Sequence, residues 1–171
     1  MAKTLTPTLK FTITGTRVNE EDKERASVSL SETISKAFTN GTGSGQVDQM
    51  FSDSAVIPVS TLVEYNFGAG AVDAEIPTED IFGDVLTMHE IKAIIIKAGD
   101  ANAGDLSFGA AGGDNLATMW VTDGDGIKIQ PGGLFVLTAP VSGYAAGADD
   151  VLEIVGTEAD TFDIFILAVS A

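Results

Sequence analysis

Residues 88–98 read MHEIKAIIIKA, and the way this stretch is taken decides the fold. In an extended segment Ile91, Ala93 and Ile95 fall on one face and Ile94 and Ile96 on the other, so it reads as a central strand that is apolar on both sides. A strand in a half-solvated antiparallel sheet keeps one polar face, whereas this one needs cover on both. Residues 161–169, TFDIFILAV, repeat the problem: Phe162, Ile164, Ile166 and Ala168 alternate with Phe165, Leu167 and Val169. One set lines the core of a sandwich. Leaving the three members of the other set in water forgoes roughly 1.5–3 kcal/mol apiece, a sum comparable to the net stability of a domain. Their cover is either another part of the same chain, such as 40–85, or an identical neighbour in a closed ring, for which a trimer is a natural choice.

Outward from these two strands the chain shows frequent turns and no long stretch of helical period. Residues 9–16 alternate, with Leu9, Phe11 and Ile13 opposite Lys10, Thr12 and Thr14, as a first strand with one wet face. Asn19 before Glu20, Glu21 and Asp22 suits one short helical turn, and so does Pro77 followed by acids at Glu79 and Asp80. Alternation returns from Ser27 to Phe38, and Gly41-Thr42-Gly43-Ser44-Gly45 then reads as a flexible polar loop. Further strands are expected at 47–51, at 56–67 with an interruption at Pro58, and at 105–110, 117–122, 127–130, 134–139 and 151–155. Turn signals about every ten residues indicate an all-β fold, an antiparallel β-sandwich of jelly-roll type with about eight to ten strands. Residues 1–18 form an N-terminal arm and first strand, and 19–171 a single sandwich domain.

Charge is unevenly spread over this chain of net charge −16. Residues 1–36 hold six of the nine Lys and Arg against five acids, a net +1, while 37–171 hold three against twenty, a net −17. So acidic a body repels polyphosphate, which argues against nucleic acid as a partner. The imbalance reflects either solubility or a salty habitat, or else a basic arm at the N-terminal end that docks on an acidic neighbour. No window approaches the ~18 apolar residues of a membrane span, and MAKTLTPTLK lacks the apolar centre of a signal peptide, so a soluble, unsecreted chain is expected. There is no Cys, which removes disulfides, thiolate metal sites and Cys nucleophiles.

Catalytic patterns are equally sparse. His89 is the only His, too few for a multi-histidine metal site, and it stands beside Met88 and Glu90 with no Ser-His-acid pattern. The glycine-rich loop 41–45 has no following Lys and opens no helix, so it is not a phosphate cradle. Asp123 and Asp125 have the spacing of two calcium ligands, but Ile127 and Leu134 occupy places where further oxygens are needed, and Asp-Gly pairs also make hairpin turns. Accidental carboxylate pairs are many, yet a sugar platform is short of aromatic residues: Trp120 is the one Trp, beside Tyr65 and Tyr144. The sequence therefore points to no enzyme, no cofactor and no metal, with a carbohydrate-binding module centred on Trp120 as the alternative.

DGDGIKIQPGGLFVLTAP from Asp123, the small-residue loop after it, DVLEIVGTEAD and the terminal strand FDIFILAV resemble the closing β-module of virion proteins of tailed bacteriophages, capsid decoration or cement proteins in particular. The likeness covers about fifty residues and rests on turns. It implies a β-sandwich, a homotrimer on the outer surface of the head, the major capsid protein as partner and synthesis in the host cytoplasm, with neither nucleic acid nor membrane bound. On that reading Lys3, Lys10 and Arg17 of the arm are the candidate capsid contacts, and Phe165, Leu167 and Val169 the candidate self-association face.

Overall fold

A computed structural model describes residues 4–19, 26–59, 61–67, 76–77, 79–80, 83–109, 126–146 and 151–170, as backbone alone at 17–19, 26–28 and 76–77. The described residues form strands and no helix. β1 (Thr8–Asn19) and β2 (Ala26–Ala37) pair as an antiparallel hairpin, and β3 (Thr39–Asn40) and β4 (Gln46–Val47) as a short parallel pair. Two larger sheets are built from β5 (Gln49–Val56), β6 (Leu62–Asn66), β7 (Ile76–Pro77), β8 (Met88–Ala98), β9 (Leu106–Phe108), β10 (Ile127–Ile129), β11 (Leu134–Thr138), β12 (Tyr144–Ala145), β13 (Val151–Gly156) and β14 (Thr161–Ser170). One runs β5-β14-β8-β11, with β12 also on β8, and the other runs β7-β6-β13-β9-β10. Setting β7 and β12 aside, the chain crosses from sheet to sheet at every connection except β9 to β10, which is the double Greek key of a jelly roll.

Between the sheets lies the main core. Ile94, Ile96, Ile164 and Ile166 from one side meet Tyr65, Leu106, Phe108 and Ile154 from the other. Tyr65 sits edge-on to Phe51 and Phe162, with ring centroids 5.4 and 6.2 Å away. A fully buried carboxylate, Asp160, is held by backbone donors: one oxygen accepts from the amides of Ala103 and Gly104 at 3.1 and 3.2 Å.

The central strand has the bounds its sequence predicts, but its alternation breaks at Lys92. Leu167 pairs with Ala93 and the next residue, Ala168, with Ile91, so Lys92 is an extra residue in the ladder. The other edge breaks there too: Thr138 of β11 pairs with Ala93, and Tyr144 of β12 with Ile91. This bulge turns Ile91 into the main core with Ile94 and Ile96, rather than onto the face of Ala93 and Ile95. Lys92 is itself buried, and its ammonium bonds the Glu90 carboxylate and the Val141 carbonyl.

The second face of the sheet is covered by the chain itself. Leu9 and the segment Phe38 to Val47 close over Ala93 and Leu167, with Leu5, Phe11, Met50, Ile95 and Phe165 at the margin. Hydrogen bonds fix this cover: Leu5 N to Asn40 Oδ1 and Phe38 N to the Pro7 carbonyl at one end, and Ser170 N and Oγ to the Asp48 carboxylate at the other. The identical neighbour expected over Phe165, Leu167 and Val169 is therefore not what buries them: Leu167 and Val169 are 0% and 2% exposed within the single chain, and Phe165 alone stays half-buried.

The glycine-rich stretch 41–45 is exposed at 42–44, as expected of a polar loop, and is also a hydrogen-bonded clasp, in which Gly43 N donates to Gln46 Oε1 and Gly45 N to the Pro140 carbonyl, both at 2.8 Å. A Cβ on Gly41 or Gly43 would lie within 2.8 Å of that Gln46 oxygen and push the Gln46 side chain aside. The helical turn expected at 77–82 falls partly on residues outside those described; around it Gly83 N donates to the Asp80 carbonyl at 2.9 Å and Glu79 bridges Val85. The turn expected at 20–22 and the strand at 117–122 lie outside the described residues.

Of the two partners only Lys92 is fully buried, while the Glu90 side chain is 31% exposed. Losing the carboxylate therefore strands a desolvated charge, whereas losing the ammonium leaves one that water can reach. Glu90→Gln, which strands the Lys92 ammonium, is expected to lose about 2–3 kcal/mol of stability in urea unfolding, while Lys92→Met stays within about 1 kcal/mol of the parent. Equal losses would show that Lys92 is held by something other than Glu90.

Candidate functional site

Pairing register lays out the outer face of the β5-β14-β8-β11 sheet in three rows: Met50, Leu167, Ala93, Thr138; then Ser52, Phe165, Ile95, Val136; then Ser54, Asp163, Lys97, Leu134. The first row is roofed by Leu9, Phe38 and Val47. In the second, Phe165, Ile95 and Val136 are half-buried, and the third is exposed throughout. The cover thus stops part-way across an apolar face. Where it stops, a groove of about 580 Å³ opens, floored by Ile95 and Phe165 and edged by Leu134, Asp53, Asp163 and Lys97. The Ser54 hydroxyl donates to Asp163 at 2.6 Å, which orients that carboxylate at the rim, whereas the Asp53 carboxylate accepts from the Tyr65 hydroxyl at 2.7 Å on the core side of the sheet, beside Ile164. Burial, with the Asp53 carboxylate beside it, raises the Tyr65 phenol well above its ordinary pKa of 10.0.

The hairpin leaves the body beside this groove. Its register separates two faces. One carries Leu9 with Lys36, Phe11 with Ile34, Ile13 with Glu32 and Gly15 with Leu30; the other carries Lys10 with Ser35, Thr12 with Thr33, Thr14 with Ser31 and Thr16 with Ser29. The first is an apolar stripe that begins in the second core at Leu9 and runs outward through half-buried Phe11. Ile13, Leu30 and Ile34 farther along it are each 62% exposed. The second is a ladder of hydroxyls, with the Thr12 and Thr33 oxygens 3.3 Å apart. Within the described residues the hairpin is a sheet of two strands, an arrangement of marginal stability alone, and both its edges are open to a further strand.

Of the predicted shell contacts, Lys10 is exposed on the hydroxyl face, Arg17 lies in β1 opposite Val28 as backbone, and Lys3 is outside the described residues. Lys10 and Arg17 share one arm, which β2 completes. The self-association set divides: Leu167 and Val169 are inaccessible, while Phe165 faces the groove. Trp120, Asp123 and Asp125 lie outside the described residues, and His89 is exposed. Among the described residues no cluster of three His, Asp or Glu is placed to hold a metal, and no helix is long and apolar enough to cross a membrane. Ile13, Leu30 and Ile34 were not singled out by sequence; the alternation Leu30, Glu32, Ile34 marks a strand, but only the register puts it on the side of Ile13. No family model and no curated protein matches the chain.

Two measurements follow from this geometry. Because the folded state holds the Tyr65 proton more tightly than the unfolded state, its contribution to stability is complete below pH 10 and is lost as pH rises past it; the urea midpoint should fall above about pH 10, and less so in Tyr65→Phe. Ile13→Asp and Leu30→Asp, on the exposed stripe, should each change monomer stability by about 0.5 kcal/mol or less, whereas Leu167→Ala beneath the cover should cost about 2–5 kcal/mol. A large loss at Ile13 would place the arm against its own body.

Proposed function

We propose that this protein is a structural component of a virus particle, a decoration protein that binds the outer surface of a tailed-bacteriophage head and stabilises the assembled shell. The observation that carries the reading is the hairpin arm: a two-stranded, two-faced projection rooted by Leu9 and Phe11 in the second core, with its apolar stripe in water. Exposed apolar surface of this continuity marks a contact with another macromolecule. The jelly-roll body supplies rigidity, and its charge of −17 keeps the particle surface soluble. The resemblance of residues 123 onward to the closing module of such proteins supports the same assignment, with the major capsid protein as partner and a homotrimer as the bound form. Lys10 on the hydroxyl face, with Lys3 and Arg17, would meet the shell through charge and hydrogen bonds.

Binding that exists only for the assembled lattice adds free energy to that state and none to dissociated subunits, so no reaction is needed. Heads of the parent phage assembled without this chain should take it up from solution and then withstand a higher temperature before releasing DNA. Reversing the charge of Lys3, Lys10 and Arg17 together should weaken uptake about tenfold or more, an effect of roughly 1.4 kcal/mol that shrinks as salt is added. If bare heads fail to bind the unmodified protein, the assignment is wrong.

A further inference from the structure

We infer that the apolar stripe of the hairpin from one copy lies in the groove beside the hairpin root of a second copy. The proposal deepens the assembly reading above and rests on it only for the view that the arm is an assembly element. Three observations carry it.

The stripe and the groove are parts of one interface. Leu9 and Phe11 already pack on the first and second rows of the sheet face, and the groove is the remainder of that face, floored by Ile95 and Phe165 with Leu134 57% exposed at its edge. What fits the one half of this surface, a β-hairpin face of alternating aliphatic residues, therefore fits the other half. Ile13, Leu30 and Ile34 are that kind of face and each is 62% exposed, Ile34 lining with Phe11, Val136 and Thr138 an open pocket of about 170 Å³ at the arm's root.

The chain's own arm is ill placed to fill its own groove. The ladder of β1 and β2 runs without a register break from Thr8 opposite Ala37 to Asn19 opposite Ala26, so there is no hinge at which the outer part could fold back on the part already seated. Thr12 through Asn19 extend roughly 27 Å beyond Phe11 at about 3.4 Å a residue, against a radius of gyration near 16 Å for a chain of this length. An arm that long can reach a neighbour.

Charge favours the same pairing. The rim carries Asp163 against Lys97, and the body as a whole is strongly acidic. The segment 1–36 that holds the arm has no acidic excess, at net +1 against −17 for the rest, and Lys10 and Lys36 stand on the arm near its root. Two bodies repel each other; an arm and a body do not.

Arm into groove is a head-to-tail contact, each copy giving one surface and receiving on another. Copies joined this way close either reciprocally, as an arm-exchanged pair, or successively, as a small ring. Either closure gives Phe165 the role in self-association that burial denies to Leu167 and Val169.

The absence of native Cys makes the contact directly testable. Leu30→Cys and Ser54→Cys, one on the stripe and one at the groove rim, are made in separate chains. Oxidised together they should give a disulfide-linked dimer absent from either variant oxidised alone. Light scattering on the unmodified full chain should show a closed oligomer, and Ile13→Asp with Leu30→Asp should weaken self-association at least tenfold while urea unfolding confirms an intact monomer. A monomer at every attainable concentration, a dimer formed by Leu30→Cys alone, or an intrachain disulfide in a chain bearing both cysteines would each overturn the proposal. An oligomer that forms through this contact but ignores phage heads would refute the shell assignment and leave the arm-in-groove contact standing.

Discussion

Everything in this molecule follows from a sheet that is apolar on both sides. β8 and β14 lie side by side at its centre, and between them they offer a core-facing row of isoleucines and an outward row of Ala93, Ile95, Phe165 and Leu167. The opposite sheet satisfies the first row. The second must be satisfied by something that is not part of the sandwich, and the chain uses its own N-terminal residues together with the clasp at 38–47. Each large side chain so covered contributes roughly 1.5–3 kcal/mol, enough that the cover is a condition of stability rather than an ornament. Because the cover reaches only across the first row and part of the second, one surface serves two purposes: it anchors the arm and leaves a groove.

Polar groups inside this apolar frame sit where the ladder is irregular. Lys92 is the inserted residue of the β8 bulge, and its ammonium needs Glu90 and the Val141 carbonyl because both neighbouring strands break register beside it. Asp160 stands just before β14 and collects amide hydrogens from the turn at Ala103 and Gly104. Buried charges of this sort are costly unless every partner is in place, so they pin the loops that carry those partners. The result is a rigid body with one projecting, amphipathic element.

Strand positions were legible in the sequence because alternation and turn residues are local signals. Met88 to Ala98 and the final strand are found where the pattern puts them, and so is the sandwich they imply. The Lys92 bulge was not legible, since IKAIII keeps its apolar density whichever phase it has, and only the neighbours' register shows the slip. Nor was the identity of the cover: Leu9, Phe38 and Val47 are ordinary apolar residues in short segments, and any of several stretches could have met the need. The hydrogen bonds of the clasp at 41–45 were not legible either, because glycine marks both loose loops and tight ones, and the Gln46 side chain that holds Gly43 lies beyond the glycines. Of the site, the basic residues of the arm were legible as charge, while its stripe became visible only once β1 and β2 were paired.

β14 has a further consequence through its order in the chain. It lies between β5 and β8, yet it is made after both, and it supplies Phe165 and Asp163 to the groove. A nascent polypeptide still lacking β14 therefore has neither a completed sheet nor a seat for its own hairpin. Contacts this distant in sequence form slowly. Leu9 and Phe11 leave the ribosome among the first residues, yet Leu167 and Phe165, on which they pack, are among the last, so the root of the arm docks only once synthesis has passed residue 167.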